Sequence, residues 1–163
     1  MRPQRRRAWY APVLSIIAAL TLSVIPLPES IAAFRPAWVA LVVLYWCLVE
    51  PRRYVLLSAF LVGLVLDVLA GSLLGQHSLA LLIIVFLSQR FHLRIRTFPA
   101  SQILVTVVVL LGLYEFFLYW IDGIQGIETP LIQRWGPVVV GGALWLFVLT
   151  GIERSRQEAA ARM

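Results

Sequence analysis

The fold class this sequence predicts is all-α, a bundle of six membrane-spanning helices, and three observations predict it. First, 61% of the 163 residues are hydrophobic and 13% are charged, with a mean hydropathy of +0.88. A soluble domain averages about half apolar and a quarter charged. Second, the apolar residues fall into six runs separated by proline, glycine or charged breaks, and a helix crosses a bilayer with about 20 apolar residues. Third, all fourteen basic residues are arginine, and twelve of them fall in alternate connections. This composition leaves no room for a separate soluble catalytic domain. It excludes disorder, and a single cysteine, Cys47, excludes a disulfide scaffold.

Arg2, Arg5, Arg6 and Arg7 precede the first predicted span, about 9–25. Pro26, Pro28 and Pro36, with Glu29 and Arg35, break the chain before the second, about 37–49. Glu50-Pro51-Arg52-Arg53 separates it from the third, about 54–70, and the glycine turn beginning at Gly71 leads into the fourth, about 73–89. Arg90, Arg94 and Arg96 precede the fifth, about 100–120. A polar loop, Ile121 to Trp135, leads to the sixth, about 136–152, and the tail carries Arg154, Arg156 and Arg162. The second run is short, about 21 Å as a helix against a hydrocarbon core of about 30 Å.

With six spans, only Arg35 and Arg134 lie on the arginine-poor side. The positive-inside rule then places both termini in the cytoplasm. The net charge of +6 is thereby a topology signal, and no nucleic-acid partner is expected. Trp9, Tyr10 and Tyr54 fall at inner edges and Trp38, Tyr119, Trp120 and Trp135 at outer edges, where amphipathic rings settle. Trp145 falls in mid-span, where packing is its expected role. Ser30-Ile31-Ala32 resembles a signal-peptide cleavage site, but Pro26 to Glu29 interrupt the path to it and the apolar run is long. The run reads as a retained span.

Few residues can carry chemistry. Asp67 lies in span three between leucine and valine; a carboxylate costs about 2.5–3.5 kcal/mol at a helix centre and less near an end. It reads as a contact that fixes helix packing or lines an outer cavity, against simple snorkelling to the interface. Glu115 lies in span five among Tyr114, Phe116, Phe117 and Tyr119. Asp67, Glu115, Arg35, Gln76, His77 and Arg134 all map to the outer half, and Arg35 with Asp67 or Glu115 is the expected ion pair. Gly71 and Gly75 read as turn glycines, and Gly141-Gly142-Ala143 as a tight helix contact. Cys47 reads as an apolar filler. His77 and His92 fall on opposite sides of the membrane, no metal-ligand cluster has suitable spacing, and no cofactor is expected. Asp67 and Glu115 have no neighbouring nucleophile, so an intramembrane enzyme is disfavoured.

Phe34-Arg35-Pro36-Ala37-Trp38, then Leu44-Tyr45-Trp46, then Gly63-x-x-x-Asp67-x-x-x-Gly71-Ser72-x-x-Gly75 resemble the MreD family of rod-shape-determining membrane proteins, of the proteobacterial kind. The resemblance covers nearly the whole chain. Ala70 departs from the serine that often precedes the first turn glycine in the family, which weakens any role for a hydroxyl there. The resemblance implies a non-catalytic subunit of the bacterial inner membrane, part of the cell-elongation complex that builds peptidoglycan in rods. It implies MreC as partner and, through it, MreB, RodA and RodA's transpeptidase partner. It implies a fold similar to the substrate-binding component of energy-coupling-factor transporters. By that analogy Arg35, Asp67 and Glu115 would line an outward cavity, with His77 beside them and Gly63, Gly71 and Gly75 as packing or turn glycines. The alternative function is therefore a small-molecule-binding component of that transporter type. Inner arginines would also attract anionic membrane lipids, at about 1 kcal/mol each near the surface.

Overall fold

The computed structural model describes residues 10–28, 32–49, 55–127 and 129–161. The described residues form six helices: α1 Tyr10–Val24, α2 Trp38–Val49, α3 Val55–Ala70, α4 Gln76–Thr97, α5 Ala100–Ile124 and α6 Leu131–Ala161. No strand occurs among the described residues. The side chains at 93, 94, 96, 97 and 150–161 are not described. Most of the arginines that define the expected orientation therefore lie outside the description, among them Arg2, Arg52, Arg94 and Arg154. Ser30 and Ile31 of the possible cleavage site do too.

The helices pack mainly with their chain neighbours: α1 on α2, α3 on α4, α4 on α5 and α5 on α6. The central element is α2. It also packs on α4, and Val39, Ala40, Leu44 and Cys47 are almost wholly enclosed. Cys47 fills space against α4, with Sγ 3.9 Å from the Val85 carbonyl oxygen. By contrast α1 is peripheral, with only Ala19 buried.

Much of the exterior is apolar. Leu14 and Ile17 on α1, Leu57 and Val68 on α3, Val105 and Val109 on α5, and Val139 and Phe147 on α6 are exposed. Large contiguous apolar surface of this kind is stable against hydrocarbon, not against water. Ala100–Ile124 and Leu131–Leu149 are long and apolar enough to cross a membrane, while α1, α2 and α3 are apolar but shorter.

Three helices have boundaries that differ from the expected spans. The fourth helix starts at Gln76 and runs on to Thr97, the fifth continues to Ile124, and the sixth begins at Leu131. Asp122 and Arg134 suggest a loop when read singly. Paired with each other, they no longer need water, so both helices run through them.

One close approach gathers the loop before α2 to the same end. A Cβ at Gly136 would lie 2.1 Å from the Ala33 carbonyl oxygen. The start of α6 thus packs directly on the 33–34 backbone, and only glycine permits it.

Candidate functional site

The polar residues gather where α3 turns into α4. Gly71 and Gly75 have φ of 65° and 97°, the left-handed region that glycine adopts without strain, and they end α3 and begin α4. Gly75 is the N-cap of α4 and offers no side chain to the first-turn amides. Those amides need an acceptor, because no carbonyl precedes them in the helix. Asp67, one turn back in α3, provides it. Its Oδ2 accepts the Gly75 N–H at 2.8 Å and its Oδ1 accepts the His77 N–H at 2.9 Å. The negative carboxylate also sits at the positive end of the α4 dipole.

The shell around Asp67 is complete. His77 Nδ1 lies 2.7 Å from Oδ1, Ser72 Oγ donates to Oδ1 at 3.1 Å, and Ser78 Oγ lies 3.3 Å from Oδ2. Asp67 itself is wholly buried. Ser72, His77 and Asp67 have the composition of a nucleophilic triad but not its geometry. Ser72 Oγ and Asp67 Oδ1 meet the same ring nitrogen, at 3.2 and 2.7 Å. A proton relay needs the acid and the hydroxyl on opposite nitrogens.

The turn is held closed by the crossing of α3 and α4. A Cβ at Gly63 would lie 2.4 Å from Ser78 Cα, so the two backbones meet there. Ser78 Oγ also lies 3.1 Å from the Phe60 carbonyl oxygen.

A second cluster joins α4, α5 and α6. The Arg134 guanidinium binds Glu115 Oε2 at 3.4 Å, Thr129 Oγ1 at 3.2 Å, and Asp122 directly. Gln76 Nε2 donates to Asp122 Oδ1 at 2.6 Å, and Gln125 Nε2 to Gln76 Oε1 at 3.3 Å. Gln76, Glu115, Asp122 and Arg134 are all buried. Pairing is what makes charges tolerable in an apolar bundle.

The two clusters share the first turn of α4, where Gln76 faces α5 and His77 faces α3. Tyr114 lies between them. Its ring centroid is 6.3 Å from that of His77, and its phenol is within electrostatic reach of Glu115, Asp67 and Arg134. Together they form one buried polar layer across the ends of four helices.

Of the expected outer residues, the structure brings Asp67 to His77 and Glu115 to Arg134. It does not bring Arg35 to Asp67 or Glu115. Arg35 instead donates to the main-chain carbonyls of Ser23, at 2.5 Å, and Ile25. Pro26 and Pro28 stop α1, leaving carbonyls without helical donors, and the guanidinium supplies them. The expected Arg35 pair is thereby corrected, and Arg35 is a helix cap rather than a member of the layer. Asp122 was missed by sequence reading. The available signal was its seven-residue spacing from Glu115, which puts both on one helix face; a span ended at Trp120 hides it. Among the described residues no group of three or more His, Cys, Asp or Glu is placed to hold a metal ion.

Comparison with known proteins agrees with the motifs. The family model for the rod shape-determining protein MreD matches residues 4–150. The rod shape-determining protein MreD of Haemophilus influenzae is 29% identical over 139 residues, covering 78% of this chain and 86% of that one. No solved structure gives a significant match. The matched region takes in the α3–α4 turn, the polar layer and all but the end of α6. The chain belongs to the MreD family of rod shape-determining proteins.

Proposed function

We propose that the chain is a non-catalytic, multi-pass subunit of the bacterial inner membrane, with both termini in the cytoplasm. In this reading it binds MreC and helps organise peptidoglycan synthesis, linked through MreC to MreB, RodA and the transpeptidase partner of RodA.

The observation that carries the reading, beside family membership, is how the polar layer is used. Both oxygens of Asp67 are occupied by protein donors from the α3–α4 turn and the first turn of α4. Glu115 and Asp122 are occupied by Arg134 and Gln76. These groups fasten helix ends to one another, which suits a rigid body that holds partners in place. The same occupancy weighs against the small-molecule-binding alternative. The apolar exterior leaves helix faces as the main contact surface for such partners.

Depletion in a rod-shaped host tests the reading. Rounded cells, restored by the intact chain, together with MreC co-purifying in detergent, are expected. Unchanged rods with no MreC recovered would remove it. A reporter fused after Arg94 should be active only in the cytoplasm, and activity outside would overturn the topology.

A further inference from the structure

A groove of about 490 Å³ runs between α1 and α3. Ile17, Leu20, Thr21 and Val24 recur at helical spacing and form its α1 wall, and Leu69 of α3 stands across from them. From Ile17 to Val24 is about 10 Å along a helix, about two thirds of one leaflet of a hydrocarbon core about 30 Å thick. The α1 wall offers no unpaired hydroxyl, because Thr21 Oγ1 donates to the Ile17 carbonyl oxygen at 2.9 Å. The groove ends at Ile25 and Pro26, where α1 stops.

Arg35 sits at that end. Its guanidinium donates to the carbonyls of Ser23, at 2.5 Å, and of Ile25, so the cation is held against the close of the groove's own wall. It is only half-buried. The two carbonyls use two of its five N–H groups, and the carbonyl end of α1 offsets about half a charge. No carboxylate among the described residues neutralises the remainder. Arg134 differs: it is buried and paired with Glu115 and Asp122. One end of the groove is therefore positive and its length is apolar, which is the complement of an anionic phospholipid. Within a bilayer no water fills such a groove, and walls left without a filling forfeit their dispersion contacts.

We infer that the groove holds one acyl chain of an anionic phospholipid of the outer leaflet, with the headgroup phosphate on the Arg35 guanidinium. A planar guanidinium meets phosphate oxygens through paired N–H donors, and the two carbonyls fix its position beforehand. The lipid chain fills the gap between α3 and the peripheral α1, of which only Ala19 is buried in the protein. The leaflet assignment rests on the proposed topology; the match of groove and cation does not.

The test reconstitutes the full chain in phosphatidylethanolamine vesicles carrying a trace of phosphatidylglycerol or of phosphatidylcholine, each with a diazirine in the acyl chain. After photolysis the adducts are mapped. Adducts on Ile17, Leu20, Val24 or Leu69 are expected, with the phosphatidylglycerol probe about fivefold ahead, the factor one arginine supplies at an anionic surface. Arg35→Gln should bring the two probes level while the phosphatidylcholine yield persists. Leu20→Trp, which fills the groove, should remove the adducts of both. Unlabelled phosphatidylglycerol should compete, and glycerol phosphate, which has the anion without the chain, should not. No groove adducts, equal yields from the two probes in the intact chain, a preference unchanged by Arg35→Gln, or displacement by glycerol phosphate would each overturn the inference. Should Arg35→Gln fail to fold, the probe preference of the intact chain and Leu20→Trp still decide. Failure of the lipid site leaves the binding of MreC untouched, whereas a reporter after Arg94 that reads outside defeats the proposed topology and leaves the probe preference standing.

Discussion

Asp67 receives both the main-chain N–H of His77, at 2.9 Å, and its ring Nδ1, at 2.7 Å, on the same oxygen. One carboxylate thus fixes the start of α4 and the direction of the His77 side chain. The interaction spans the α3–α4 turn and ties the end of α3 to the start of α4.

Asp67→Ala should therefore cost about 3 kcal/mol, since it strands two part-buried amides and removes a charged acceptor. Asp67→Asn should cost less, because one carbonyl oxygen remains, while its amide faces donors it cannot satisfy. Thermal unfolding in detergent gives the order. Equal stability of all three proteins would show that the turn closes without the carboxylate.

Gly63→Ala and Gly123→Ala should act in opposite directions. The first puts a methyl 2.4 Å from Ser78 Cα, where only backbone movement relieves it, and the second meets nothing within 4 Å. The expected changes are a loss of about 1–3 kcal/mol for Gly63→Ala and a gain of about 0.5–1 kcal/mol for Gly123→Ala. Similar melting temperatures for the two variants would contradict the helix crossing.

Arg134→Met leaves Glu115 and Asp122 buried without their cation and should cost about 3–5 kcal/mol. Adding Asp122→Asn should restore part of that loss. A double-mutant cycle measures it, and a coupling of at least about 1 kcal/mol is expected for residues in direct contact.

Arg35→Ala should destabilise by about 1 kcal/mol through the frayed end of α1. Combined with Asp67→Asn the losses should add to within about 0.5 kcal/mol, as for residues without shared partners. Strong coupling would place Arg35 in the polar layer after all.

The sequence by itself determined the helices and their class. Hydrophobicity along a chain is a local property, and runs such as those around Leu44 or Val107 fill helices in any bilayer-like surrounding. It also determined the α3–α4 turn, because Gly71 and Gly75 mark backbone that other residues resist, and the motifs around Phe34 and Asp67 were enough to suggest the family. Partnership among charges was decided only in three dimensions. Arg35, Asp67, Glu115 and Arg134 all map to one end, yet their pairing depends on which helix faces which. Arg35 found the carbonyls left by a proline break, and Arg134 found Glu115 and Asp122. The end of α5 and the start of α6 run past the expected spans for the same reason: whether Asp122 or Arg134 can remain in a helix depends on a neighbour that sequence distance conceals.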